Sequence, residues 1–338
     1  MKNKIVKFLG SPWGQRATII VIIMVVMAFA QPAFFSFGNL KSILIQIAIY
    51  GVMACGMLLV VLVGGIDLSL GSMAGLACVI ATVHVVEHGT STGTFIAAVG
   101  MALLVAVIVG LIHGVFDAVL RLPAFVVTLA TQYALYGIAT EYTKGVYIHI
   151  TELEGFYYML GNSKILGIPF SIVLFLVMAV VTTVALEKTN YGRKVYAVGG
   201  NPRAARLVGL KPKLTKISAY VICSVTAAIG GMVLSSQNLT ATYSTGRGYE
   251  GTVMMVIVVG GISLMGGEGG IGSVLFGALL VGILNNIIIL LGISTDYSEL
   301  VQGVVILLAV ALNIYSARKS AGLIKSRKQK KEEKALNS

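Results

Sequence analysis

KTNYGRKVYAVGGNPRAARLVGLKPKLTK, residues 188–216, is the longest strongly basic interruption in an otherwise apolar chain. Eight of the chain's 25 Lys and Arg residues fall in it, and none of its residues is acidic. Apolar stretches long enough to cross a bilayer flank it on both sides, so the loop is expected to face the cytoplasm. Within it, Pro202-Arg-Ala-Ala-Arg-Leu-Val reads as a short helix. Asn201 is its N-cap, Pro202 takes the first helical position and Gly209 is the stop. A short amphipathic helix on that side of a membrane protein is a docking surface for another protein.

The composition agrees. A mean hydropathy of +0.92, with 57% hydrophobic and 11% charged residues, excludes an ordinary soluble domain, in which about 25% would be charged. A net charge of +12 invites a nucleic-acid reading, but the cations sit in termini and short loops, where topology accounts for them. Cys55, Cys78 and Cys223 all lie in apolar segments at no metal or disulfide spacing, and read as small apolar side chains. Asn238-Leu-Thr fits a glycosylation sequon, a pattern that matters only in a eukaryotic secretory host.

Outward from the loop, residues 17–35, 42–63, 72–86, 94–115, 123–140 and 170–186 precede it as six apolar spans. Residues 217–235, 251–264, 273–291 and 300–315 follow it as four. The expected fold class is therefore all-α, a polytopic membrane protein of about ten transmembrane helices with cytoplasmic N- and C-termini. Residues 1–16 form the inner N-terminus, 17–315 the membrane domain with the central loop 188–216, and 316–338 a basic inner tail. Four Lys or Arg fall in outer segments (Lys41, Lys144, Lys164 and Arg247) and the other 21 of the 25 in inner ones, which fixes the alternation. Residues 141–167 read as the longest outer loop and 237–250 as a polar outer segment. Ala28-Phe-Ala also resembles a signal-peptide cleavage site, but the first span is taken as retained.

Little here could carry covalent chemistry. No Gly-rich stretch ends in Gly-Lys-Ser/Thr, so the chain has no ATP-binding P-loop. His84 and His88 lie four apart at an outer helix end, where hydration explains them better than a metal does; no metal site is expected. Asp67, Asp117 and Glu268 map to inner helix ends rather than mid-span, which argues against an ion-coupled carrier. Two Gly-rich breaks interrupt the apolar runs without a charged loop. One is Gly64-Gly65-Ile-Asp67-Leu-Ser69-Leu-Gly71 and the other Gly266-Gly267-Glu-Gly269-Gly270, where torsions can change at low steric cost. Asp67 is expected to fix the first break by accepting backbone N–H groups. Gln46, Thr128, Thr131, Gln132, Asn285 and Asn286 are uncharged polar groups within spans: interhelical bonds, or a sparse lining for a hydroxylated solute. GxxxG spacings at Gly71/Gly75, Gly110/Gly114 and Gly266/Gly270 are expected to serve packing within the chain.

GGIDLSLG (64–71), YGRKVYAVGGNPRAARLVGL (191–210) and GYEGTVMMVIVVGGISLMGGEGGIGSVLFGALLVGILNN (248–286) together resemble the ABC-importer permeases for ribose and related monosaccharides. The likeness runs from about residue 34 to the end of the last span. It implies a bacterial inner-membrane permease working as a pair, as a homodimer or with a homologue, with ATP and Mg held by separate ATPase subunits. An extracytoplasmic sugar-binding protein would deliver the solute. In such importers coupling passes through the loop helix. That helix maps here to Asn201, Pro202, Arg203, Ala204, Ala205, Arg206, Leu207 and Gly209, with the arginines facing acids on the ATPase and Leu207 and Val208 giving apolar contact. After Gly248-Tyr-Glu250 relatives of the ribose permease continue with an Asp-Ala-Ile-Ala-Ala-like stretch, where this chain has Gly251-Thr-Val-Met-Met-Val. The resemblance therefore points to a small polyhydroxylated solute rather than to ribose by name. Permeases for nucleosides and branched-chain amino acids share the architecture. A facilitator that needs no ATP, or a membrane scaffold, is the alternative from another class.

Overall fold

The computed structural model describes residues 12–293 together with Tyr297, Leu300, Gly303, Val304, Leu307 and Ala311. Apart from those six positions, the expected last span at 300–315 and the tail lie outside the described residues, as do residues 1–11. Among the described residues the chain is mostly helical, with four two-residue strands. α1 (Pro12–Ala30) ends at Gln31, and a 3-10 turn (Pro32–Phe35) follows, so the expected first span is a helix plus a turn. Then come α2 (Phe37–Leu62), α3 (Leu70–His88), α4 (Thr92–Ala118), α5 (Ala124–Thr143), α6 (Gly155–Asn162) and α7 (Phe170–Lys188). The central loop folds as α8 (Asn190–Gly200) and α9 (Pro202–Leu207). α10 (Pro212–Asn238), α11 (Tyr249–Val259) and α12 (Ile271–Leu290) complete the bundle. Among the described residues six helices are long and apolar enough to cross a membrane: α2, α3, α4, α7, α10 and α12.

The layering follows from the sequence. α2 is buried on every face from Gly51 to Leu62, and α3 from Leu70 to Val79, as expected of helices at the centre of a bundle. α10 packs along α4, α2 and α3. Gly110 and Gly114 of α4 face the backbone of α10 at Val221 and Ile217, closer than any side chain would allow. α4, α5 and α7 instead turn Ile96, Leu104, Ile138, Leu176 and Val180 outward, as a lipid-facing surface would.

Two segments depart from expectation. The apolar run 251–264 forms a helix of only 11 residues, about 16 Å long, against the ~30 Å of a hydrocarbon core. α11 stops at Gly260 and cannot cross alone. The polar stretch 237–250 accordingly tucks into the bundle: Gly75 faces the Thr245 carbonyl, and Gly71 faces the Gly246 carbonyl and the Glu250 carboxylate. The GxxxG pair of α3 thus admits a loop, not a helix.

The expected outer loop 141–167 is also structured. Its strand Ile148–His149 pairs antiparallel with Thr240–Ala241, and Lys164–Ile165 forms a hairpin with Ile168–Pro169. α6 docks on α10 through Tyr157, which is buried and shares hydrogen bonds with Ser235 Oγ at 2.6 Å and Thr82 Oγ1 at 3.2 Å. Ser236 Oγ donates to the Tyr157 carbonyl at 2.7 Å and accepts from the Gly161 amide at 2.8 Å. Tyr157→Phe leaves two buried hydroxyls short of a partner, which costs about 1–3 kcal/mol. A thermal melt of the detergent-solubilised protein should fall accordingly, and an unchanged midpoint would show that α6 is held by its backbone contacts alone.

Candidate functional site

The central loop builds from its caps. Thr189 Oγ1 accepts from the Tyr191 amide and starts α8, which buries Val195 and Val198. Asn201 Oδ1 accepts from the amides of Arg203 and Ala204, both at 3.0 Å, and Pro202 occupies the first position of α9. The Leu210 amide returns to the Ala205 carbonyl across Gly209, whose φ of +81° suits glycine. Ala205 alone of this helix is buried; Leu207 is 88% exposed and Val208 75%. Arg203 and Arg206 meet Arg121 around a cleft of about 450 Å³, and among the described residues neither forms an ion pair. Three guanidiniums beside two bare aliphatic groups make a surface complementary to an acidic, partly apolar partner.

At its other end this unit joins both Gly-rich breaks. The Gly267 amide donates to the Leu62 carbonyl at 2.9 Å, tying the second break to the end of α2. Gly199 is wedged between them: a Cβ there would lie 1.8 Å from the Leu62 carbonyl oxygen and 2.6 Å from the Gly267 nitrogen. Tyr196 donates to the Gly269 carbonyl at 2.8 Å. Burial, and then the nearby Glu187 carboxylate, push its phenol above the ordinary value, so it stays a donor. The three glycine stretches at 64–65, 199–200 and 266–267 therefore meet backbone to backbone.

The first break is pinned from the side. Asp67 Oδ1 accepts from the Ser69 amide at 2.9 Å and the Ser69 hydroxyl at 2.7 Å, as its expected role of holding the turn requires. Thr128 of α5 takes the Leu68 amide at 3.1 Å. The other Asp67 oxygen lies 3.5 Å from His113 Nδ1, with both side chains buried. The Tyr220 ring sits edge-on to His113, and its hydroxyl donates to Asp117, which Lys216 grips at 3.1 Å through both oxygens. Asp67, in the break between the end of α2 and the start of α3, is thus buried in the bundle with His113 as its neighbour. His113 carried a signal, a lone ionisable residue inside the apolar run 94–115, that a search for metal pairs passes over. Among the described residues no cluster could hold a metal.

The six expected lining residues separate. Gln132 faces a cavity of about 610 Å³, where its amide donates to Glu250 Oε1 at 2.9 Å. Thr128 serves the break, and Thr131 bonds the Val127 carbonyl of its own helix. Asn286 is buried and exchanges two bonds with Asn39, at 2.7 and 2.9 Å, locking α12 to α2. Asn285, on the other face, meets the Tyr50 hydroxyl, and Gln46 is half-buried on α2. Glu250 is the cavity residue that the sequence reading missed, having been placed in an outer loop.

Comparison with known proteins agrees with the architecture. Residues 39–310 match the family model described as Branched-chain amino acid transport system / permease component. The ribose import permease RbsC of Escherichia coli K12 is 35% identical over 302 residues, covering 88% of this chain and 93% of that protein. RbsC of Bacillus subtilis is 34% identical over 300 residues, 86% and 89% of the two chains. The L-arabinose ABC transporter permease AraH of Azospirillum brasilense is 32% identical over 311 residues, 90% of each. No solved structure matches. A multi-pass helical bundle, a model match over most of its length and these relatives converge: the chain belongs to the permease family of sugar ABC importers.

Proposed function

We propose that this chain is the membrane-spanning subunit of an ATP-driven importer for a monosaccharide of the ribose or arabinose kind. It would sit in a bacterial inner membrane with ten spans and both termini inside. ATP and Mg would be bound by separate ATPase subunits seated on α8 and α9, a second permease would complete the pathway, and a binding protein would deliver sugar to the opposite face. One observation carries the reading. A surface-exposed helix bearing Leu207, Val208, Arg203 and Arg206 is joined through Gly199 to both breaks in the bundle. Closure of the ATPases would move α9, and α8 would carry that displacement to the ends of α2 and α11. The named relatives support a pentose as the solute.

Leu207→Asp tests the coupling. Leu207 touches little within the chain, so the variant should reach the membrane and melt like the parent. Losing an exposed apolar anchor at a protein interface should lower sugar-stimulated ATP hydrolysis of the reconstituted complex at least about tenfold. Undiminished stimulation would remove α9 from the coupling path.

A further inference from the structure

The cavity beside α5 is unlike the rest of the bundle. It runs along the helix from Gln132 to Thr140 and is lined on the other side by Tyr243, Ser244, Arg247 and Glu250, with Gly303 also in its lining. Glu250 stands in the first turn of α11 and is half-buried, its carboxylate against Gly71 of α3. Glu250 Oε1 is held by Gln132 and by the Gly248 amide at 3.3 Å. Glu250 Oε2, lying against Gly71, and the Tyr136 hydroxyl are both buried without a hydrogen-bond partner. Buried polar atoms left unpaired cost about 1–3 kcal/mol each, and more when ionised. Two such groups on residues that line one cavity mark it as a candidate site for a polar ligand.

We propose that this cavity is the station at which the translocated solute is held, and that it takes a neutral, polyhydroxylated ring of pentose or hexose size. The inference rests on the permease reading and names the residues that would touch the solute. Its volume lies within the roughly 300–1,000 Å³ of small-molecule sites. One carboxylate and one guanidinium leave the lining formally neutral, so neither an anion nor a cation is favoured. The remaining polar groups are phenols, hydroxyls and a carboxamide, a mixture of donors and acceptors suited to a ring of hydroxyls. Tyr133, Tyr136 and Tyr243 add flat faces against which the C–H side of a sugar ring can lie. A branched-chain amino acid could pair its termini with Glu250 and Arg247, but among the described residues the lining contains no Leu, Ile, Val or Met to receive its side chain.

The native cysteines make a direct test practicable, because Cys55, Cys78 and Cys223 are all buried. Ser244→Cys places a thiol in the wall of the cavity, to be labelled with a water-soluble maleimide in the full-length purified protein. No ATP, ATPase or binding protein is needed. D-Ribose or L-arabinose should slow labelling in a saturable way, whereas L-leucine should not. In the same background, Gln132→Leu or Tyr136→Phe should raise the pentose concentration for half-protection at least about tenfold; Tyr136→Phe removes a single oxygen and so spares the packing. A thiol that is never labelled, labelling that neither pentose slows, protection by leucine alone, or half-protection unmoved by both variants would each overturn the proposal. Undiminished ATP hydrolysis in the Leu207→Asp experiment would leave this result standing, so the two readings fail separately.

Discussion

A single methyl group added at Gly199 should abolish transport, while the same methyl at Gly200 should leave it unchanged. At Gly199 the new carbon would sit 1.8 Å from the Leu62 carbonyl oxygen and 2.6 Å from the Gly267 nitrogen, both backbone atoms. No rotamer change can relieve such contacts, so the three segments must part. At Gly200 nothing lies within 4 Å. Overpacking typically costs about 1–3 kcal/mol, and an immovable neighbour puts Gly199→Ala at the upper end. Separation also stretches the Gly267–Leu62 hydrogen bond, worth about 1 kcal/mol more. Sugar uptake into proteoliposomes by Gly199→Ala should fall about a thousandfold, the factor that roughly 4 kcal/mol sets on the population of the joined state. Equal uptake by the two variants would mean that the junction is incidental to transport.

Asp67 is expected to be the most costly side chain to remove. Asp67→Ala takes away the acceptor of both the Ser69 amide and hydroxyl, and strips His113 of its charged neighbour in the same step. Leaving the two buried Ser69 donors without their acceptor costs about 1–3 kcal/mol each. Asp67→Asn keeps an oxygen for Ser69 and should cost markedly less. Melting midpoints of detergent-solubilised protein should therefore rank parent, Asp67→Asn, Asp67→Ala. If Asp67→Ala melts with the parent, the break is held by Thr128 and the glycine contacts alone.

Much of the central loop was legible because its structure is local. Asn201, Pro202 and Gly209 dictate the start and stop of α9 through contacts with residues two to five positions away, and the helix forms where they place it. Most spans were legible for a similar reason, since a run of some 20 apolar residues can satisfy its backbone only as a helix. What escaped depends on contacts across the chain. Hydropathy sends the polar stretch 237–250 to water, but Gly71 and Gly75 open a slot for it in the wall of α3. The apolar run 251–264 carries no mark of where its helix ends; Gly260 stops it, against the Ser273 carbonyl of α12. Asp67 lies in the first break and His113 in α4, and spacing along the chain does not reveal that they face each other. The two breaks were recognisable as glycine-rich, but nothing in either announces that Gly199 lies between them.

The meeting of residues 62–65, 199–200 and 266–267 has a mechanical consequence. Contacts between side chains are compliant: a small displacement is absorbed by rotamer adjustment and fades within a residue or two. Here main chain bears on main chain, and at Gly199 there is no side chain to yield. Such a joint has almost no slack. Motion at α8 is passed to α2 and α11 undiminished or is blocked altogether, so states in which the loop has moved and the bundle has not are too strained to be populated. If α8 is displaced, the three segments are therefore expected to move as one rigid body, in steps rather than by degrees.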